Sequence, residues 1–292
     1  METILALAAA VLYGSADFMG GVAARRARPL AVLAITAPAG AVIIVASALV
    51  AGAAGLGGHG VAGLGGAGGL AWGAGAGAVG AVGLLTFYAG FSVAPMSVVA
   101  PVSALASALL PLAVALAQGE RLSPQAAAGG AICLAAVALV SMEHKATGRS
   151  AADRLRGLGY GLASGVMFGL FFLFFRSAGT SGVLGPVAVA RLAGTVMALF
   201  ACVAARVRPA WPGGPGGGAL PIALASGTID AAANVCYVLA TRAGLFGIAV
   251  VVTALYPGMT VLLARFVLGE RTRRVQRAGL ILAAAGLILV TI

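Results

Sequence analysis

Apolar residues in this chain come in runs far longer than the interior of a soluble domain requires. Stretches of about 20 mostly apolar residues alternate with short clusters of charge, Gly and Pro, and about 20 residues is the length at which a helix crosses roughly 30 Å of hydrocarbon. Ten such runs are predicted as helices: 2 to 22, 31 to 52, 67 to 91, 95 to 117, 125 to 142, 157 to 176, 186 to 205, 219 to 241, 245 to 267 and 276 to 292. A secretory signal places its positive charge ahead of its apolar region, whereas here Glu2 precedes the first run and Arg25, Arg26 and Arg28 follow it. The first run is therefore expected to remain as a membrane helix. The Arg pair is not a twin-arginine export signal either, since that too would precede the apolar region.

Composition agrees with the pattern and narrows it. Of 292 residues 61% are apolar and 9% charged, against about 25% charged in a soluble domain. With a mean hydropathy of +1.09, lipid must be the solvent over most of the chain. The same figures exclude disorder, and 45 Gly without a three-residue period exclude a collagen-like chain. The net charge of +11 raises the question of nucleic acid, but the basic residues sit in small groups between apolar runs rather than on one solvated face. They read as topology signals, and no nucleic-acid partner is expected. Cys133, Cys202 and Cys236 lie inside apolar stretches without C-x-x-C spacing, so neither a zinc site nor a disulfide framework is indicated.

The chain also repeats itself. Gly119-Glu120-Arg121 recurs 150 residues later as Gly269-Glu270-Arg271, and over the 22 residues starting at each triplet eight are identical. With only four Glu in the protein, two such triplets point to a duplicated unit, set at 1 to 145 and 157 to 292 with a basic linker loop at 146 to 156. Each unit holds five predicted helices. Five is odd, so the second copy enters the membrane from the opposite side, and the fold class expected is an all-α membrane protein of ten transmembrane helices as two inverted five-helix repeats. Loops after odd-numbered helices carry 14 Lys and Arg and those after even-numbered ones 3, with Arg191 left inside a run. The rich side is expected to be cytoplasmic, which puts both termini outside.

An ionisable group inside a membrane helix costs about 2.5 to 3.5 kcal/mol on insertion scales, so each one needs a partner or a purpose. Asp17, Arg191 and Asp230 are in that position. Asp230, Asn234 and Tyr237 follow at helical spacing and share one face; Tyr13, Ser15 and Asp17 make a shorter set in the first helix. Thr253, Tyr256 and Thr260, and Ser103 with Ser107, repeat the pattern in the ninth and fourth helices. One reading is a polar cavity between the halves, lined by these residues together with Tyr88, where carboxylates titrate and a small solute binds. The other is hydrogen bonding between helices, which Ser, Thr and Asn supply in many membrane proteins. Arg191 has three readings: pairing with a carboxylate, contacting an anionic substrate group, or snorkelling to the interface.

Pro95, Pro101 and Pro111 around the fourth helix and Pro257 in the ninth interrupt the hydrogen-bond ladder, as a moving or discontinuous helix requires, and a kinked static helix looks the same from sequence. Gly69, Gly73, Gly75, Gly77, Gly80 and Gly83 contain Gly-x-x-x-Gly pairs and read as close helix packing; no Lys-Ser/Thr follows to make a phosphate loop. Glu120 and Glu270 read as interfacial caps or salt-bridged hinges, not ligands. His59 and His144 lie between runs with no paired acid or Cys cluster, so neither metal hydrolysis nor acyl transfer is indicated. The chain is not expected to be an enzyme or to hold a cofactor or metal.

With its ten runs, its duplicated unit, the two Gly-Glu-Arg triplets opening the last helix of each unit, and Leu12-Tyr13-Gly14-Ser15 in the first helix, the chain resembles the EamA-type members of the drug/metabolite transporter superfamily. The resemblance implies a multi-pass protein of a bacterial inner membrane, a monomer or homodimer in the lipid bilayer. It further implies a secondary active transporter, an exporter of a small organic metabolite or drug by alternating access, with a proton or cation as candidate coupling ion. A passive channel or facilitator for small solutes is the rival reading. Such proteins are commonly drawn with both termini cytoplasmic, opposite to the charge bias here. Arg191 also lacks a counterpart in the first unit, where Ala34-Ile35-Thr36-Ala37 stands instead.

Overall fold

The computed structural model describes residues 1–53, 66–94, 96–141, 151–178, 184–208, 217–268 and 274–291. These form α1 (Glu2–Ala24), α2 (Pro29–Ala53), α3 (Gly66–Val93), α4 (Met96–Ala117), α5 (Pro124–Ser141), α6 (Ala151–Ser177), α7 (Leu184–Ala204), α8 (Leu220–Ala243), α9 (Phe246–Thr253), α10 (Tyr256–Leu268) and α11 (Arg274–Thr291). A short 3-10 turn, Gly217–Ala219, leads into α8, and there is no strand among the described residues. Among the described residues seven apolar stretches are long enough to cross a membrane: α1, most of α2, Gly68–Val93, Leu155–Ser177, Gly185–Ala204, α8, and Phe246–Val267 running through α9 and α10. Val102–Ala117 and Ala127–Ala136 are shorter apolar helices. Gly269-Glu270-Arg271, His59, His144, Pro95 and most of the linker lie outside the described residues.

The proline expectation divides. The run at 245 to 267 is two helices, because Pro257 has no N–H to give the carbonyl of Thr253 and the ladder stops there. The chain leaves the helix at Ala254 and Leu255 and resumes at Tyr256. The fourth helix corrects the expectation: α4 runs unbroken through Pro101 and Pro111. In a membrane bundle, neighbouring helices can accommodate a proline-freed carbonyl without ending the helix.

Gly119 explains one Gly-Glu-Arg triplet. It takes φ +87°, the left-handed region open to glycine, and its N–H bonds the carbonyl of Leu116 while that of Glu120 bonds Ala115, both at 3.0 Å. This pair of bonds closes the end of α4 and turns Glu120 toward the second half. There Glu120 Oε1 accepts the N–H of Gly247 at 2.7 Å, capping the positive end of α9. Arg176, at the end of α6, lies 3.8 Å from Glu120 Oε2 and 4.3 Å above the ring of Phe246. The cap therefore ties three elements at one end of the bundle.

Between helices, small residues set the distance. α1 lies along α8 and α3 along α6; α4 packs on α6 and α10 on α1; α2 meets α7, and α5 meets α11. A Cβ on Gly227 in α8 would collide with the carbonyl of Thr36 in α2, and one on Gly40 would come within 2.8 Å of Gly227. The same reciprocal contact joins Gly77 of α3 to Ala190 of α7, and Gly194 to Gly77. Along α3, Gly75, Gly80 and Gly83 receive the rings of Phe174, Phe171 and Phe168, each leaving 2.9 Å for a Cβ. Such contacts let backbones approach where lipid supplies no hydrophobic drive. Hydroxyls add interhelical bonds: Ser226 to Ala16 O at 2.8 Å, Thr260 to Gly14 O at 3.0 Å, and Ser164 to Ser103 at 3.0 Å. Each is worth about 0.6 kcal/mol in a membrane protein.

These distances make one substitution costly and another neutral. Gly227→Val is expected to lower stability by about 1–3 kcal/mol through forced separation of α2 and α8. Gly68→Ala, where nothing lies within 4 Å, should stay within about 0.5 kcal/mol. Thermal unfolding of the two detergent-purified variants measures the difference.

Candidate functional site

Helices from both halves enclose a cavity of about 90 Å³. Its polar side is made by Tyr13 and Asp17 of α1, Ser107 of α4, Arg191 of α7, Asp230 of α8 and Tyr256, the first residue of α10. The opposite side is apolar: Ala37 of α2, Gly77, Gly80 and Leu84 of α3, and Phe168, Phe171 and Phe172 of α6. The glycines of α3 and the phenylalanines of α6 that fit against them thus form one wall.

Arg191 and Asp230 are bound to each other. Arg191 Nη2 lies 2.5 Å from Asp230 Oδ2 and donates to the main-chain carbonyl of Asp230 at 3.1 Å. Of the three readings of Arg191, pairing with a carboxylate is the one adopted. Room for the guanidinium comes from α2, where a Cβ on Gly40 would stand 3.3 Å from Nη1. Asp17 is buried, and among the described residues no basic side chain lies within ion-pair distance of it. A carboxylate out of water without a counter-ion is costly unless a proton or a cation joins it.

Six of the eleven candidate side chains meet at this cavity: Tyr13, Asp17, Ser107, Arg191, Asp230 and Tyr256. The other five stand off its lining. Ser15 bonds back to Val11 O in its own helix at 2.7 Å. Ser103 is bound to Ser164, and Tyr88 is packed against Gly20 within hydrogen-bond reach of Ser226 and Thr36. Asn234 donates to Asp230 O at 2.6 Å, and Tyr237 stacks on Phe172 with ring centroids 4.5 Å apart. These last two support the lining from behind. Tyr13 and Tyr256 are both buried; the Tyr13 hydroxyl makes no hydrogen bond among the described residues, and that of Tyr256 lies within hydrogen-bond reach of Ser103 and Ser107.

The phenylalanine wall was not anticipated from the sequence. Its signal was present as Phe168, Phe171 and Phe172, spaced i, i+3 and i+4 on one helical face, but an aromatic stripe in a membrane helix points equally well at lipid. Only the position of α3 decides between the two. Among the described residues no three metal-capable side chains come together.

Removing one member of the ion pair leaves the other charge buried alone, which typically costs 3–5 kcal/mol. Arg191→Gln and Asp230→Asn are each expected to lose about that much. The double variant, with neither charge, should recover most of it; a double-mutant cycle on thermal unfolding in detergent gives the coupling.

Comparison with known proteins bears on the same halves. Residues 155–292 match the model of the EamA-like transporter family. No curated protein matches the chain. A solved crystal structure, described only as that of a protein, aligns with a TM-score of 0.71 at 20% identity, covering 99% of this chain and 96% of that one. At that identity the likeness speaks for the fold alone, over the full length of the chain. Together with its long apolar helices, these findings make the chain a multi-pass membrane protein that is similar to the EamA-like transporter family over residues 155–292.

Proposed function

We propose that the chain is a secondary active transporter that moves a small organic solute by alternating access, built from ten transmembrane helices as two inverted five-helix repeats. The observation that carries the reading is the cavity itself, in which two aspartates and an arginine face one space enclosed by both halves. A static bundle gains nothing from three ionisable groups at membrane depth, whereas a solute and ion pathway uses them. The helix pairing supports the repeat. Exchanging the two halves turns the α1–α8 contact into α6–α3 and the α4–α6 contact into α10–α1, and leaves α2–α7 and α5–α11 unchanged. Gly77 and Gly227, 150 residues apart, make equivalent close contacts.

The break between α9 and α10 supports movement. Tyr256 opens α10 at the cavity wall, so a small change at Ala254 and Leu255 would alter the space directly. The coupling ion, a proton or another cation, is held at Asp17, because Arg191 already occupies Asp230. Asp17→Asn is expected to abolish uptake driven by an ion gradient in proteoliposomes while insertion and the unliganded melting temperature stay near those of the parent protein. Coupled transport at the parental rate in that variant would overturn the assignment. Flux indifferent to an imposed pH or cation gradient would favour a facilitator instead.

A further inference from the structure

We infer that the cavity recognises a primary ammonium on a compact apolar body, with the ammonium at Asp17 between the hydroxyls of Tyr13 and Tyr256 and the body against the Phe168, Phe171 and Gly80 wall. The inference rests on the transporter reading and narrows its substrate to one chemical class.

Charge selects the sign. Arg191 is committed to Asp230 through both the carboxylate and the main-chain carbonyl, which leaves Asp17 as the carboxyl group of the cavity lining without a basic partner among the described residues. A cation supplies the counter-ion that an ionised Asp17 needs, and an anion does not. A zwitterion would have to draw Arg191 away from Asp230 to place its carboxylate.

Hydrogen bonding selects the kind of cation. A primary ammonium has three N–H donors. Asp17 offers a carboxylate, and Tyr13 and Tyr256 line the same cavity, the Tyr13 hydroxyl with no hydrogen-bond partner among the described residues and the Tyr256 hydroxyl beside Ser103 and Ser107. Each phenolic oxygen has a lone pair for an N–H, and its own proton can turn toward the carboxylate. A quaternary ammonium has no N–H and would leave all three acceptors unmet, which a buried site tolerates poorly.

The two halves explain the apolar side. Where the second half places Asp230, the first places Gly80 at the equivalent position 150 residues earlier; Ala37, in the stretch matching that of Arg191, lies in the same lining. The cavity is thus polar toward one half and apolar toward the other, a match for a solute with one charged end. Its size selects a small one. About 90 Å³ is small against the roughly 300–1,000 Å³ of pockets that take drug-sized ligands, so a body of a few carbon atoms suits this conformation.

Five probes that share one body test the claim on the unmodified protein, by calorimetry and thermal stabilisation in detergent: 3-methylbutylamine, its N,N,N-trimethyl analogue, leucine, 4-methylpentanoate and 3-methylbutanol. The amine should bind at least tenfold more tightly than each of the others. Asp17→Asn should remove that preference, and Tyr13→Phe and Tyr256→Phe should each weaken the amine several-fold while leaving the alcohol unchanged. Unliganded melting temperatures establish that the variants are folded. A preference for leucine, the carboxylate or the trimethyl analogue overturns the inference, as does binding of none of the five, or an amine preference that survives Asp17→Asn. Proteoliposome counterflow separates the two readings. Transport of leucine without amine binding sinks the substrate class and leaves the transporter standing, whereas amine binding without any counterflow does the reverse.

Discussion

A guanidinium and a carboxylate held 2.5 Å apart inside a membrane protein are tolerable only as a pair, since either alone would cost several kcal/mol to keep from water. That constraint governs the surroundings of Arg191 and Asp230. α7 and α8 must sit in fixed rotation relative to each other, and α2 must come close without a side chain in the way, which is why Gly40 stands beside the guanidinium. Because the pair is closed, Asp230 has its counter-ion, and the buried carboxyl group left without one is that of Asp17. One buried ion pair thus determines which carboxylate remains available for chemistry.

The glycines serve the same end by a different route. Contacts of Gly227 on Thr36 and Gly40 on Gly227, and of Gly77 on Ala190 and Gly194 on Gly77, bring α2 against α8 and α3 against α7 at backbone distance. Both pairs lie next to lining residues of the cavity. Close approach of these helices keeps the cavity narrow and brings residues from eight helical segments to one space. Where α3 offers glycine, α6 offers phenylalanine, so the apolar wall is a packing surface and a lining at once.

The two halves are alike in packing and unlike in chemistry. A shared scaffold of small residues gives both the same helix contacts, while the charged groups at the cavity come from α1, α7 and α8 alone. The connection at one end of the bundle follows the same division. Glu120 belongs to the first half by sequence and caps α9 of the second, with Arg176 of α6 beside it. A carboxylate at a helix N-terminus and a cation near the carboxylate are modest interactions singly, but here they fix the entry to a membrane-length run that is broken at the cavity.

Much of this was legible before any coordinates. Run length identified membrane helices because hydrocarbon thickness imposes a minimum on them, and the recurrence of Gly-Glu-Arg pointed to a duplication because so few Glu occur. Asp17, Arg191 and Asp230 stood out because the cost of a charge in lipid does not depend on knowing its neighbours. Helical spacing alone could not separate Tyr256, on the lining, from Tyr237 behind it, or Ser107 from Ser103. Period 3.6 tells which residues share a face but not what lies opposite that face. Nor could it tell that α4 keeps its ladder through two prolines while the ninth run breaks at one. The amino-acid sequence by itself determined the solvent, the helices and the charges that demand an explanation, all of which follow from local transfer costs. The pairing of Arg191 with Asp230, the isolation of Asp17 and the phenylalanine wall were decided only by the tertiary structure, because each depends on groups from different helices meeting at a distance of a few ångströms.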